Sequence, residues 1–319
     1  MMFIYIMLLY LSFSTCSSEL AFDFYADSCP LVETMVKDTV RSASLNDPKV
    51  PGKLLRLLFH DCFVEGCDGS VLVQGNDTER SDPANASLGG FEVIEAAKNV
   101  VETFCPATVS CADILALAAR DSVEFTGGPG IEIPTGRKDG KISLASNVRP
   151  NIVDTSFTLN QMKHIFSAKG LSFDDLVTLS GAHTIGSAHC SAFSERFRLD
   201  TKGKLKLIDT SLDRTYAAEL TQQCGSSQAQ TSVTVNNDPE TPFIFDNQYY
   251  QMLLAHKGLF QSDAVLLDNA KSLKKVEEFA NDKNSFFDNW TEAFLKLASI
   301  GVKTGEDSEI RRSCSVING

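Results

Sequence analysis

The chain has 319 residues, of which 43% are hydrophobic, enough apolar mass for one large core or two fused ones, so it is neither a disordered segment nor a small disulfide knot. A formal net charge of −12 and a sequence pI of about 4.9 argue against nucleic acid and anionic membrane surfaces as partners. An acidic surface keeps a protein soluble, and it leaves neutral, cationic or small partners open.

Residues 1–18 carry no charge, and the apolar run MMFIYIMLLYLSF gives way to small residues in STCSS. That outline fits a secretory signal, and the run is short of the ~20 residues a membrane span needs. Cleavage is expected between Cys16 and Glu19. It would reduce nine cysteines to an even set of eight, which in an exported chain suggests disulfides. Counting leaves their connectivity open. Zinc is the competing use of cysteine, but no CxxC pair is present.

Downstream, apolar spacing is helical almost throughout. Pro30, suited to a first turn, precedes Leu31, Met35 and Val36, and Asn46-Asp47-Pro48 ends that segment. Ile94, Ala97, Val101 and Phe104 form the next stripe, closed by Pro106, and CADILALAARDSV follows up to Gly127-Gly128-Pro129. Further helices are expected over Leu159–Ala168, over Ser172–Ala182 with Ser172 and Asp175 as a capping box, over Tyr249–His256, and over Lys271–Ile300 in one or two pieces. VTVNN and GIEIP are too short to build a sheet. The expected class is mainly α. No repeat or low-complexity tract marks a linker, and the Gly-, Pro- and Asn-rich stretch from Gly127 to Asp154 is the best internal boundary.

Two histidines carry the chemistry. His60 lies in LLRLLFHDCF with Arg56 four residues before it and Phe59 beside it, and on a helix positions i and i+4 share a face. A neutral imidazole beside a permanent cation makes a poor resting place and a good proton shuttle. His183, in LVTLSGAHTIG, follows an apolar helix with no acid or base alongside, as suits an axial metal ligand. His164, His189 and His256 have no such neighbours and read as surface or packing residues. A secreted hydrolase is disfavoured, because Ser180-Gly181 matches no G-x-S-x-G elbow.

RLLFHDCFVEGCDGS and LSGAHTIG resemble the distal and proximal heme signatures of the secreted plant peroxidases (class III), over roughly residues 20–319 with eight matching cysteines. The resemblance implies a two-lobed heme peroxidase fold, with one heme b between a distal half (about 19–150 plus the C-terminal segment) and a proximal half (about 151–285). It pairs Cys29 with Cys105, Cys62 with Cys67, Cys111 with Cys314, and Cys190 with Cys224.

The implied activity reduces hydrogen peroxide and oxidises phenolic donors in two one-electron steps, by way of a ferryl porphyrin radical. His60 would be the acid–base group, Arg56 the charge stabiliser, Phe59 their neighbour and Asn85 the acceptor that fixes the His60 tautomer, with Glu79 supporting it. His183 would hold the iron and Asp263 would accept its second nitrogen's proton. Pro150 would stand at the donor rim.

Two calcium ions are implied as well. One would take Asp61, Val64, Gly66, Asp68 and Ser70, and the other Thr184, Asp238, Thr241, Ile244 and Asp246, since hard Ca²⁺ takes about six to eight oxygens.

The chain departs from the family at two places. Asn85-Ala86-Ser87 runs into Leu88-Gly89-Gly90-Phe91, one residue short and without the usual arginine, and Ile152 replaces the second proline of a Pro-x-Pro corner. Asn85 also heads a glycosylation sequon, a role incompatible with an inward amide, so glycans are expected at Asn76 and, with Trp290 beside it, at Asn289. The chain is expected to act as a secreted, apoplastic monomer. A non-catalytic heme or matrix-binding protein on the same fold is the alternative reading.

Overall fold

The structure, a computed structural model, describes residues 20–201, 205–225 and 232–319. The expected signal over 1–18 and its Cys16 lie outside the described residues.

Helix α1 (Val32–Asn46) buries Val32, Val36, Val40 and Ser44, a stripe at four-residue spacing, and Pro30 stands in the turn just before it. Asp47-Pro48 stops the helix. Helix α2 (Val50–Val64) follows with Pro51 in its first turn, where a missing N–H costs nothing. Helix α3 (Phe91–Phe104) buries Val93, Ile94, Ala97 and Val101 and ends ahead of Pro106.

At the centre is α4 (Cys111–Phe125), whose N-terminus is capped by the Ser110 hydroxyl accepting from the Asp113 N–H at 3.0 Å. Every residue from Cys111 to Val123 is buried, because α1, α2 and α3 all pack around it. This helix is therefore the post on which α2 is mounted.

The second half opens with α5 (Leu159–Ala168) and α6 (Phe173–Ser180), both started by capping boxes, Thr158 with Gln161 and Ser172 with Asp175. The expected helix over Ser172–Ala182 is shorter than the sequence suggests. It tightens at Ser180 into a 3₁₀ turn over Gly181–Thr184 that carries His183.

Helix α7 (Arg214–Cys224) has no counterpart in the sequence reading; its exposed face is polar and its apolar stripe short. After it come α8 (Gln248–Leu254), α9 (Gln261–Ala264), α10 (Ala270–Asn281) and α11 (Lys283–Leu297), so the stretch expected over Lys271–Ile300 falls in two pieces.

Strands are short, as expected. β1 (Ser187–His189) pairs antiparallel with β4 (Thr234–Asn236), which is the VTVNN segment, and β2 (Phe197–Leu199) pairs with β3 (Leu205–Leu207). GIEIP forms no strand; its Ile131 and Ile133 simply pack inward.

One hydrophobic cluster runs from Tyr25 to Cys314 through both halves, and a smaller one gathers Phe193, Tyr216, Leu220, Leu259 and Phe260 around α7. Four disulfides form with the pairing implied above: Cys29–Cys105, Cys62–Cys67, Cys111–Cys314 and Cys190–Cys224. Among the described residues no helix is long and apolar enough to cross a membrane.

Two glycines aim the halves at each other. A Cβ on Gly52 of α2 would lie 2.6 Å from the Cα of Gly186, so the start of α2 touches backbone to backbone the segment just past His183. Gly52, Arg56 and His60 follow one another at four-residue spacing along α2. The two histidine-bearing segments thus share a point of contact at Gly52.

Candidate active site

His60 is 5% exposed and its Nδ1 lies 2.7 Å from Oδ1 of Asn85. Asn85, 2% exposed, commits its amide nitrogen to the backbone carbonyl of Glu79 at 2.8 Å. The amide orientation is thereby fixed, because a carbonyl can only accept, and Oδ1 must face the imidazole. His60 therefore carries its proton on Nδ1 and leaves Nε2 as a free base. Burial, and then the Arg56 charge, push the His60 pKa down to about 3 against the opposing pull of Asn85.

Support from Glu79 takes a form the sequence did not suggest. Its backbone holds Asn85, while its carboxylate is buried without a partner and is raised to about 9 by burial and by Asp61.

Arg56 opens to solvent along one edge, yet protein crowds the rest of the guanidinium, and burial lowers its pKa to about 10, leaving it cationic at neutral pH. Its Nη1 donates to the hydroxyl of Ser87 at 3.0 Å and to the Ser87 carbonyl at 3.2 Å. Ser87 escaped the sequence reading, although it sits in the shortened ASLGGF run. The family's arginine is absent from that run, and Arg80 stacks on the Phe91 ring at 3.8 Å instead. Phe59 is half-buried against Phe63, with ring centroids 4.2 Å apart.

On the other side His183 is 36% exposed, and its Nδ1 lies 2.9 Å from Oδ1 of Asp263, which is almost wholly buried. A carboxylate there accepts a hydrogen bond from Nδ1–H, which fixes that tautomer and frees Nε2 for a metal. Tyr249, also missed from sequence, donates its phenol to the same Oδ1 at 2.9 Å.

Two clusters of oxygens flank these groups. In the first, Asp61 accepts the N–H groups of Gly69 and Val71, Asp68 accepts that of Ser70, and the Ser70 hydroxyl is buried without a partner. Gly66 reaches its place with φ 105°, and a Cβ there would strike the Gly301 carbonyl at 2.4 Å. The Val64 carbonyl accepts from Nζ of Lys169 at 3.3 Å and keeps a second lone pair. Burial raises both Asp61 and Asp68, and Asp68 raises Asp61 further.

The second cluster gathers Thr184, Asp238, Thr241 and Asp246. The Thr184 hydroxyl donates to Asp246 at 3.1 Å and that of Thr241 to Asp238 at 2.9 Å. Ile244 closes its turn onto the Thr241 carbonyl at 3.0 Å. Burial, and lower in order Asp246, raise Asp238. Among the described residues no three His, Cys, Asp or Glu side chains form a ready metal centre, and each of these clusters combines carboxylates with hydroxyls and backbone oxygens instead.

Pro150 is exposed, beside a buried Ile152 whose N–H donates to the Val148 carbonyl at 3.0 Å. A proline at 152 could not make that bond. His164 and His256 are exposed, and His189 is half-buried on β1.

A sequence model of the family described as peroxidase matches residues 36–282. The chain belongs to the peroxidase family. It is 64% identical to Peroxidase 18 of Arabidopsis thaliana over 312 residues, covering 98% of this chain and 95% of the relative. Peroxidase 46 of the same plant is 62% identical over 307 residues (96% and 94%), and Peroxidase 5 of Vitis vinifera 46% identical over 307 residues (94% and 92%). These are plant peroxidases of the class III kind that the motifs resemble, and the enzyme oxidises donors with hydrogen peroxide at a heme.

The residues present fit that group. His183 offers a partly exposed imidazole whose Nδ1 is engaged by Asp263, which leaves Nε2 available to a metal, and α2, which carries Arg56 and His60, touches the segment just past His183 at Gly52. The orphaned Ser70 hydroxyl and the raised carboxylates of the first cluster fit a hard cation, which would favour their ionised forms.

Proposed function

We propose that the enzyme is a secreted, monomeric class III peroxidase acting on phenolic donors, with the residues named above in its chemistry and with two calcium ions. His183 would hold the heme, which when bound would supply the redox chemistry by which peroxide is reduced and donors give up electrons.

The protein's own groups then do three things. Nε2 of His60 removes the proton from the near oxygen of peroxide and returns it to the departing one, so that water leaves rather than hydroxide. Arg56 stabilises the negative charge that builds on the departing oxygen. Asn85 keeps Nε2 unprotonated by holding the imidazole proton on Nδ1. Phe59 walls this space beside them, Asp263 orients His183, and the exposed Pro150 lies at the rim where a phenol would dock.

Calcium is assigned to Asp61, Val64, Gly66, Asp68 and Ser70, and to Thr184, Asp238, Thr241, Ile244 and Asp246. The reading of residues 1–18 as a signal, together with four disulfides, supports secretion. Asn76 is exposed and is the leading glycan site. Asn289 is half-buried mid-helix, with its amide donating to the Ser285 carbonyl at 2.8 Å, so it ranks below.

The observation that carries the reading is the pairing of a tautomer-fixed, uncharged His60 with the Arg56 cation on one helix face. The test is the absorption spectrum of purified protein. A Soret band that shifts on adding peroxide and returns on adding a phenol is expected. A Soret band indifferent to peroxide would leave a heme-binding protein without this chemistry.

A further inference from the structure

Asp263 accepts three hydrogen bonds, and their distribution is uneven. Oδ2 takes only the Phe260 N–H, at 2.9 Å, whereas Oδ1 takes both Nδ1 of His183 and the phenol of Tyr249, each at 2.9 Å. Tyr249 is 4% exposed and Asp263 2%, so water does not compete for that oxygen. The bond from Phe260 stops the carboxylate from swivelling to offer His183 its other oxygen. Tyr249 itself is fixed, with its ring edge-on to the His183 imidazole at a centroid distance of 5.9 Å and against Tyr250 at 5.0 Å.

We propose that Tyr249 is a positioning residue for the reaction: by donating to the oxygen that His183 uses, it limits the negative character Asp263 confers on the imidazole and so sets how strongly Nε2 donates to the heme iron. The inference rests on the reading of His183 as the iron ligand. A charge-assisted bond to a buried carboxylate draws electron density from the oxygen that accepts it. Two donors on one oxygen therefore share what a single donor would hold alone. Without the phenol, the His183 bond to Asp263 would strengthen and the imidazole would move toward imidazolate. Such partners of a metal ligand tune its basicity and the potential of the metal.

Tyr249→Phe removes the hydroxyl and keeps the ring, so packing around His183 is retained. In the heme-loaded enzyme we expect a lower ferric/ferrous midpoint potential, and in the reduced protein an iron–imidazole stretching band at higher frequency by resonance Raman. The same substitution in an Asp263→Asn background should move neither quantity, because the carboxylate that relays the effect is gone. Unchanged potential and band in Tyr249→Phe would overturn the proposal. So would an equal shift in both backgrounds, which would mark a packing effect. A His183→Ala protein that kept the iron–imidazole band would instead overturn the assignment of the iron ligand.

Discussion

The amide of Asn85 cannot turn over without breaking the bond it gives the Glu79 carbonyl, and this makes one residue decide the protonation geometry of another. His60→Ala should leave heme bound, since His183 is untouched, and slow the reaction with peroxide by at least the ~10²–10⁴-fold typical of losing a general acid–base group. Stopped-flow rates near wild type would remove His60 from the mechanism. Asn85→Val should slow the same step by less, because the imidazole then samples the wrong tautomer instead of vanishing. The amide nitrogen of Asn85, which heads a sequon, is buried and bonded, so peptide mapping of secreted enzyme should find Asn85 bare and a glycan on Asn76. A glycan on Asn85 in active enzyme would mean that another group orients His60. Arg56 and His60 could be named from their own segment, and Asn85 only through the family resemblance. Ser87 and Tyr249 could not, because serine and tyrosine carry no motif and their roles exist only once Arg56 and Asp263 arrive from elsewhere in the chain.

Among elements, the decisive contact is between the first turn of α2 and the turn after His183. Backbone meets backbone there, with no flexible side chain to give way when Gly52 acquires a Cβ. Gly52→Ala should therefore cost about 1–3 kcal/mol of stability as overpacking, read by denaturant unfolding, although alanine is the better helix former at an ordinary site. It should also weaken heme retention, because Gly52 shares α2 with His60 and Gly186 follows His183 by three residues, so relieving the clash shifts one segment against the other. A variant as stable as wild type with an unaltered Soret band would show that the contact is slack. Helices with strong apolar stripes were legible from sequence, α1 and α3 to α6 above all, the last three with side-chain caps as well. Helix α7 was not, because its stripe is Tyr216, Ala217 and Leu220 in an otherwise polar run and it is held by docking onto Phe193 and Phe260. The 3₁₀ turn under His183 likewise hides within a helical pattern, since a hydrophobic period does not report where a helix tightens.

At the scale of the whole molecule, the C-terminal segment is folded back onto α4 and onto the loop that follows α2. Cys111–Cys314 ties the C-terminal segment to α4, and the buried Arg311 donates to the carbonyls of Cys314, Asp68 and Gly69. The Asp61–Ser70 loop is thus gripped from beneath by α2 and from above by residues near 311, while Gly66 abuts Gly301. Burying Asp61, Asp68 and Glu79 together raises all three pKa values, so their ionised forms are disfavoured there and a divalent cation would offset that cost. A ligand that binds the native state and not the unfolded chain stabilises by mass action, at about 2.7 kcal/mol for a concentration 100-fold above its dissociation constant. Asp61 adjoins His60, and the Glu79 carbonyl holds the Asn85 that orients it, so relaxation of this cluster reaches the base directly. Prolonged chelation, with calcium loss checked by metal analysis, should therefore lower the melting temperature and the rate of reaction with peroxide together, and added calcium should restore both. Asp68→Asn should reproduce the effect in part and make the enzyme less responsive to added calcium. If calcium is removed and neither melting temperature nor peroxide rate changes, the cluster is a buried acidic network with no resident cation.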